Sequence, residues 1–438
     1  MKLSRFAVCR YRANAKFHNT NLNGKSYLPY IEFMLRGDDV ENIYLIENHH
    51  EALGYWRNMH ISNKTIIHID SHHDLFEGPS FPWINNYLWF AIKENILKEI
   101  YLVYPKHIIK NFDLVEKYVA SIMGFVSLTK ISHHMFSVTT TETNIEIYVC
   151  SFDKVVDLED YILDIDLDYF IYNGLGCFID NVDWYSLSSN FVSDLELIGN
   201  YISRKKPQIT TISKSIFQSY VPAEYVFLYK IIMDFFDLNN LKKMDENRLI
   251  ISSLICRTEI DVDNLMDALY DDLLYYNACL AIHKGGYKQA KYCFDKISNT
   301  NKMIFQQYST GCRYHLFKGN INAAYQEAFK YKLFYEDSNT YVLAISYIEQ
   351  FLGNFQNSID ILKNIDKPDE RMLLLLAKAY MKIVNIKNAR VCVEQIILKL
   401  LPSLEKYQSE IIDPQNYQKR LIFKEAIKIQ QNPLLAKN

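Results

Sequence analysis

The 438-residue sequence predicts an α/β domain with a parallel sheet, followed by an all-α solenoid. Two observations carry this prediction. Short apolar strands alternate with amphipathic helical stretches up to about residue 236, and an internal repeat of period 34 takes over from about residue 272. A chain of this length also exceeds one ordinary hydrophobic core, so two domains are expected from size alone.

Six segments of the first part are rich in Ile, Val, Tyr and Leu and are apolar almost throughout. Strands that are buried on both faces of a parallel sheet have this composition. The segments are 43–48, 65–70, 99–105, 145–152, 161–170 and 208–215. Helical stretches at 83–99, 183–204 and 223–236 separate several of them. This alternation predicts a three-layer fold, with helices on both faces of the sheet.

The second part contains four segments that align with each other. Gly285, Gly319 and Gly353 are each 34 residues apart, and the fourth copy has Val384 at the matching place. Two further columns hold small residues, which let paired helices approach closely. One column is Ala278, Cys312, Ser346 and Ala377, and the other is Ala290, Ala324, Ser358 and Ala389. The pattern resembles the tetratricopeptide repeat, a helix hairpin that stacks into a peptide-binding or protein-binding solenoid. An irregular helical bundle is the alternative.

These patterns divide the chain into four predicted segments. The α/β domain is expected at 1–240, a helical connector at 241–271, the repeats at 272–402 and a C-terminal helical tail at 403–438. The net charge of −3 argues against a broad nucleic-acid-binding face. The eight cysteines form no CxxC pair, and neither a signal peptide nor an apolar stretch of spanning length is recognised. We therefore expect a cytoplasmic protein without a nucleic-acid or membrane partner.

The first chemical motif is IHIDSHHDL at 67–75, where an apolar strand is expected to end. Asp70, His72 and Asp74 are spaced two residues apart, so in an extended backbone they would point to one side. Ligands of open parallel sheets bind beyond the carboxyl ends of the strands. Carboxylates that converge there repel each other, and bound divalent metal ions remove that cost. The alternative is a solvated acidic loop that caps the next helix.

The second motif is YILDIDLDYF at 161–170, in which three aspartates alternate with apolar residues. Asp164, Asp166 and Asp168 would share one face of a strand by the period of two. Aspartate is depleted in strands, so three on one face of a buried strand call for an explanation. Metal coordination is the explanation that we adopt.

A third, weaker motif is IENHHEALGYW at 46–56, which places His49 at the turn between a strand and a helix. The order His, then D-x-H-x-D, then D-x-D resembles the arginase/deacetylase superfamily. The local sequences resemble most closely the protein family UPF0489, over about residues 40–220. That family includes the peptide arginases, which convert arginine residues of ribosomally made peptides to ornithine. The resemblance implies an arginase-like three-layer domain.

The resemblance also implies two Mn²⁺ sites that share two ligands, although other divalent metals would fit. The ligands of the first are His49, Asp70, Asp74 and Asp164. The ligands of the second are Asp70, His72, Asp164 and Asp166. All six positions are filled, which favours ureohydrolase chemistry over that of the mononuclear zinc deacetylases. A metal-activated hydroxide would attack the guanidinium carbon and release urea.

The substrate-binding residues stay open. Asp168 and Glu224 are candidates for the guanidinium partner, and Asp168 could equally be structural. His50, His73, His133 and His134 are candidates for the proton shuttle, and the sequence does not choose among them. The chain departs from arginases because Glu47-Asn48 replaces a Gly-Gly-Asp-His segment before His49, and because His73 stands where UPF0489 members often have Pro. These departures put free arginine in doubt as the substrate.

The leading hypothesis is a Mn²⁺-dependent hydrolase that converts arginine residues of a peptide or protein to ornithine and urea. The repeats would bind this substrate, for example a ribosomal precursor peptide. A second hypothesis is another binuclear ureohydrolase, amidohydrolase or deacetylase-like enzyme that acts on a small substrate. A third is a non-catalytic adaptor in which only the repeats have a function.

Overall fold

The computed structural model divides the chain into two compact units. One contains most of the chain up to Arg248, and the other contains most of the chain from Leu249 onward. The structure describes residues 8–9, 32–34, 42–78, 80–110, 112–171, 187, 190–215, 221, 225, 227–236, 241–256, 258–262, 269–284, 286–297, 308–334, 338–406, 422–423 and 425–432.

The first unit is mixed α/β, and its described residues form one ten-stranded sheet. The strands are β1 (Val8–Cys9), β2 (Glu32–Met34), β3 (Ile43–Ile46), β4 (Lys64–Ile69), β5 (Leu97–Val103), β6 (Phe125–Ser132), β7 (Met135–Thr140), β8 (Glu146–Cys150), β9 (Tyr161–Asp166) and β10 (Ile209–Ser213). Their order across the sheet is β1-β2-β3-β10-β9-β4-β5-β8-β7-β6. The six strands from β3 to β8 in this order are parallel, and the flanking strands are antiparallel.

The six parallel strands are the six that the apolar segments predict. One prediction within them is wrong: the segment 161–170 is not extended throughout. Strand β9 ends at Asp166, and a short helix begins at Asp168. The sequence patterns also missed the hairpin of β6 and β7. Most side chains of β6 are exposed, so that strand lacks the apolar signal on which the prediction depends.

The described residues up to Cys256 also form eight α-helices. They are α1 (Glu51–Asn58), α2 (Tyr87–Lys93), α3 (Lys106–Ile109), α4 (Phe112–Val119), α5 (Asp168–Ile171), α6 (Phe191–Arg204), α7 (Leu228–Phe235) and α8 (Leu241–Cys256). Leu53 and Trp56 of α1 and Leu88 of α2 lie in one apolar cluster with Ile66 of β4. Each such buried side chain contributes about 1.5–3 kcal/mol. This packing holds the start of α1, and the turn before it, against the sheet.

The second unit consists of helix hairpins. Its helices are α9 (Tyr270–His283), α10 (Tyr287–Lys296), α11 (Tyr308–Phe317), α12 (Ile321–Phe334), α13 (Ser338–Phe351), α14 (Phe355–Lys363), α15 (Glu370–Lys382) and α16 (Ile386–Lys406). Each odd-numbered helix packs against the helix that follows it, and α11, α13 and α15 contact one another in sequence. The predicted hairpins are therefore present.

The two columns of small residues in the repeat are buried, as close helix packing requires. All eight are at most 1% exposed. Gly319 and Gly353 have φ angles of 76° and 82°, a left-handed conformation that glycine adopts without strain. Val384, at the matching place in the fourth copy, has a φ of 58° although it is β-branched. Gly285 lies outside the described residues.

Candidate metal centre

The chemical motifs meet at one edge of the sheet. Asp70 follows β4, Asp166 ends β9, His49 lies in the turn after β3, and Ser215 follows β10. These four strands are parallel neighbours, so their carboxyl ends lie side by side. Binding sites of open parallel sheets occupy this position. The sheet order therefore brings together residues that are more than 100 positions apart in sequence.

A small cavity lies among these residues. It has a volume of about 40 Å³. Because one water needs about 10–15 Å³, it has room for about three water-sized particles. The lining residues are His49, Asp70, His72, Asp74, Phe76, Ile84, Asn85, Asp166, Asp168 and Ser215. Five of the six metal ligands that the sequence predicts line this cavity, and Asp164 does not.

A first group of potential metal ligands comprises His49, His68, Asp70 and Asp74, all of which are buried. The Nδ1 atom of His49 is 2.8 Å from Oδ2 of Asp70 and 3.3 Å from Oδ2 of Asp74. Asp74 adopts a left-handed φ of 48°, which aspartate tolerates better than most residues. The residues after Ile69 are therefore not extended, and a loop brings the two carboxylates together.

A second group shares Asp70 with the first and adds His72 and Asp168. The Nδ1 atom of His72 is 3.2 Å from Oδ1 of Asp70 and 3.1 Å from Oδ2 of Asp168. Asp166 lies beside both groups, with its Oδ2 atom 3.4 Å from Nδ1 of His49. The Ser215 hydroxyl donates a hydrogen bond to that Oδ2 atom at 2.6 Å. Asp70 thus faces both groups, one oxygen toward each.

The turn that carries His49 is braced by its neighbours. The backbone N–H of Asn48 donates to Oε1 of Glu51 at 3.2 Å, and its side-chain amide donates to the same atom at 2.9 Å. The Ala52 N–H donates to the His49 carbonyl at 3.0 Å, which closes the first turn of α1. The imidazole of His49 is therefore presented from a fixed backbone.

Asp164 lies beneath the cavity. Its Oδ1 atom accepts a hydrogen bond from the Thr211 hydroxyl. Its Oδ2 atom accepts one from the Tyr87 hydroxyl at 2.6 Å and contacts Nδ1 of His68 at 3.0 Å and Nε2 of His49 at 2.9 Å. Asp164 does not line the cavity, whereas Asp166 and Asp168 do, although protein groups also contact the oxygens of both.

Two residues of the site were not predicted from the sequence. His68 is fully buried in β4 and belongs to the first group, but a histidine inside an apolar strand gives no pattern of its own. Asn85 lines the cavity, and within the described part of the chain its buried Oδ1 atom has no hydrogen-bond partner. A spacing signal would have found neither, because both depend on contacts distant in sequence.

The remaining candidates have different surroundings. His73 points into the protein, where its Nε2 atom lies 2.8 Å from the Ser121 hydroxyl and its ring contacts Phe76. His50 stacks on Trp83. His133 and His134 lie in the turn between β6 and β7. None of these four lines the cavity, and Glu224 lies outside the described residues.

The carboxylates of the site repel each other unless a cation lies between them. Burial raises the pKa of Asp166 well above its usual range, and the charges of Asp168 and Asp70 raise it further. Burial and the charge of Asp70 likewise raise the pKa of Asp168 to about 6. The pKa of Asp74 is raised for the same two reasons. Acids this close in a buried site call for a compensating positive charge.

Protonated histidines supply part of that charge. Burial opposes protonation of His49, but its contacts with Asp164, Asp70 and Asp74 together outweigh burial and hold the His49 pKa well above its usual value. Contacts with Asp168 and Asp70 do the same for His72. Burial likewise opposes ionisation of Asp70, but its contacts with the imidazoles hold its pKa well below the usual range.

The donor set fits divalent metal ions. Within the described residues, both ring nitrogens of His49 and Nε2 of His68 are buried without a hydrogen bond of good geometry. Buried polar atoms of this kind are costly unless they bind something. Carboxylate oxygens combined with imidazoles are the ligands of Mn²⁺, Fe²⁺ and Zn²⁺ sites. The cluster is therefore a candidate metal centre, and its geometry does not select one ion.

Comparisons with known proteins identify no family for this chain. No protein-family model matches the chain, and no curated protein matches it. Among solved structures, the chain is similar to a tetratricopeptide repeat protein from Parabacteroides merdae. The identity is 11% and the TM-score is 0.25, with 55% of this chain and 86% of that chain covered. A TM-score this low carries no argument, so site assignments rest on the residues and their geometry. No described helix is long and apolar enough to cross a membrane.

Proposed function

We propose that this protein is a Mn²⁺-dependent hydrolase that converts arginine residues of a peptide substrate to ornithine, with release of urea. The observation that carries the proposal is the pair of overlapping ligand groups that share Asp70 around one cavity. Two-metal hydrolases need a ligand between their ions and room for one water, and the shared Asp70 and the cavity support both requirements. The resemblance to the peptide arginases supplies the substrate class.

The proposed ligand set differs at one position from the set that the sequence predicts. His49, Asp70 and Asp74 would hold one ion, and His72 and Asp168 would hold the other together with Asp70. We assign to Asp166 the bridging role predicted for Asp164, because Asp166 lines the cavity and Asp164 lies beneath it. The two aspartates that we assign to the D-x-D motif are therefore Asp166 and Asp168, in place of Asp164 and Asp166.

Bound metal ions would supply hydroxide at neutral pH and polarise the guanidinium. The chain's own residues hold and orient the reactants. Ser215 fixes Asp166 through its hydrogen bond at 2.6 Å. Asn85 offers a buried carbonyl oxygen, which would accept a hydrogen bond from a guanidinium N–H. Phe76 and Ile84 form an apolar wall against which the methylenes of an arginine side chain can pack.

The reaction balances without a further reactant. Water adds to the guanidinium carbon, the bond between that carbon and Nε breaks, and a proton moves to Nε to give the ornithine amine. The two remaining nitrogens leave as urea. The helix hairpins of the second unit are proposed to bind the peptide around the reactive arginine, since stacked hairpins of this kind commonly bind extended peptides.

The test is mass spectrometry of arginine-containing peptides after incubation with Mn²⁺-loaded protein. Each conversion removes about 42 Da, the mass of the amidine carbon and its two nitrogens and hydrogens, with one urea released. Peptides with Lys in place of Arg are the control. Turnover of agmatine or acetyl-lysine, with none of any arginine peptide, would instead indicate an enzyme of small substrates. A protein that binds no divalent ion would favour an adaptor role.

A further inference from the structure

The inference concerns His68, which lies within the IHIDSHHDL motif but is not among the six predicted ligands. We propose that His68 is a further metal ligand, which adds a second imidazole to the ion held by His49, Asp70 and Asp74, and that Asp164 fixes its orientation. The inference rests on the proposed metal site, but it concerns the composition of that site and not the substrate.

The first step is to identify which ring nitrogen of His68 donates a proton to Asp164. Its Nδ1 atom lies 3.0 Å from Oδ2 of Asp164 with good hydrogen-bond geometry. Asp164 is locked in place by the hydroxyls of Thr211 and Tyr87, and it is fully buried. A carboxylate can only accept, so Nδ1 of His68 donates and carries the proton. Nε2 would present its lone pair to a metal ion once that ion displaces any proton it carries.

The second step is the environment of that nitrogen. Nε2 of His68 lies 3.4 Å from Oδ2 of Asp70 and 4.0 Å from Oδ2 of Asp74. It is buried, and within the described part of the chain it has no hydrogen-bond partner. The two carboxylates favour a positive charge at this position. A divalent cation between the three atoms would be coordinated by all of them, as in the carboxylate–histidine–metal arrangement.

The third step is the geometry of the four donors. The rings of His49 and His68 stack with their centroids 5.0 Å apart and their planes 25° apart. His49, His68, Asp70 and Asp74 each offer one ligand atom, and these four atoms lie within 4.8 Å of one another. Donors about 2.1 Å from a common ion are separated by about 3–4.2 Å, which is close to this spacing. His68 therefore adds a fourth donor to this group.

The chemical consequence is a softer site than carboxylates alone would make. Two imidazoles and two carboxylates favour Mn²⁺, Fe²⁺, Co²⁺ or Zn²⁺ over Mg²⁺ and Ca²⁺, which prefer oxygen ligands. The second group has one imidazole, that of His72, so the two ions would differ in affinity. The ion at the His68 side is expected to bind more tightly.

The experiment uses the full chain loaded with Co²⁺, whose paramagnetism shifts the protons of coordinated imidazoles. The Nδ1 proton of His68 is buried against Asp164, so it exchanges slowly and should give a shifted signal in water that disappears in deuterated water. His68→Gln removes this signal and weakens the tighter Mn²⁺ site by more than about 100-fold, whereas Asp164→Asn weakens it by about 10–100-fold and moves the signal. His50→Gln is the control, because His50 stacks on Trp83 outside the cavity.

The outcomes separate this inference from the proposed function. Unchanged Mn²⁺ affinity and an unchanged set of shifted signals in His68→Gln would overturn it, even if arginine peptides are still converted. Binding of two ions with loss of the His68 signal would support it, even if no peptide is a substrate. Should His68→Gln fail to fold, the wild-type protein still decides the question. Isotopic labelling of histidine then shows whether two or three imidazoles have shifted ring protons.

Discussion

The two units of this protein differ in the residues that they bury. The interior of the α/β unit includes Asp70, Asp74, Asp164, Asp166 and Asp168, all at most 4% exposed. Among the described residues of the helical unit, no acidic or basic side chain is buried, and its tightest positions are small residues such as Ala377 and Ser346. Helix packing alone explains the interior of the helical unit. The pKa values of Asp74, Asp166 and Asp168 are raised, so ionisation of these three acids weakens folding, and their presence points to a function.

The largest expected effect comes from removing the carboxylate that both ligand groups share. In Asp70→Ala, Mn²⁺ binding should fall from two ions to none, and peptide hydrolysis should fall by at least about 1,000-fold. The wild-type protein should gain about 2.7 kcal/mol of stability for each ion when Mn²⁺ is at 100 times the dissociation constant of that site, and the variant should gain nothing. Metal analysis and thermal unfolding with and without Mn²⁺ measure both effects.

A matched control distinguishes loss of the site from loss of an acid. Asp160 is exposed and pairs with Lys64 at the surface of the same unit. Asp160→Ala should keep both ions and the full Mn²⁺-dependent gain in stability. If both variants lost metal equally, metal binding would not depend specifically on the buried acid Asp70.

The helical unit should give the opposite result. Ala377 is fully buried where α15 packs against its neighbours. In Ala377→Leu the added methylenes have no space, so the free energy of unfolding should fall by about 1–3 kcal/mol. Mn²⁺ stoichiometry should stay at two ions. Chemical denaturation followed by circular dichroism, with metal analysis on the same sample, measures both. A loss of metal binding would show that the site depends on packing in the repeats.

Much of the α/β unit was predictable because buried parallel strands carry an apolar signal of their own. The choice among Asp164, Asp166 and Asp168 was not. All three fit a period of two, and what decides between them is where β9 ends and which carboxylate meets Thr211 and Tyr87. Those partners lie 47 and 77 residues away in sequence. Spacing within the motif therefore placed these aspartates close to the cavity, but the contacts that distinguish them could not be predicted from it.

A buried acid away from the cavity tests whether burial alone marks function. Asp194, in the first turn of α6, is 8% exposed, and the Tyr169 hydroxyl lies 3.4 Å from its Oδ2 atom. Burial raises its pKa to about 6. Since the folded-state pKa exceeds the unfolded value, ionisation weakens folding as the pH rises from about 4 through 6. Above that range the cost is fully present.

Asp194→Asn should therefore raise the free energy of unfolding by roughly 1–3 kcal/mol at pH 7 and by little at pH 4. Urea denaturation at the two pH values measures the difference. Mn²⁺ binding should be unchanged, in contrast to Asp70→Ala. Asp113→Asn, at an exposed position of α4, is the control and should show no such pH dependence. A variant that loses metal would extend the candidate centre beyond the cavity.

The smallest expected effect concerns the turn between α15 and α16, where the fourth repeat departs from the others. Val384 is exposed and has a φ of 58°, whereas Gly319 and Gly353 occupy the matching turns with φ angles of 76° and 82°. A residue with a side chain is destabilised by about 1–2 kcal/mol in the left-handed region. Glycine avoids this strain but loses more conformational entropy on folding, which cancels about half of the benefit. Val384→Gly should therefore stabilise the helical unit by about 0.5–1 kcal/mol. The reciprocal Gly353→Val should destabilise it by a similar amount or more, because its turn would acquire the same strain. Thermal unfolding of both variants measures the pair. If Val384→Gly lowers stability, the turn of the fourth repeat owes its conformation to contacts of the valine side chain, and the equivalence of the four repeats at this position is wrong.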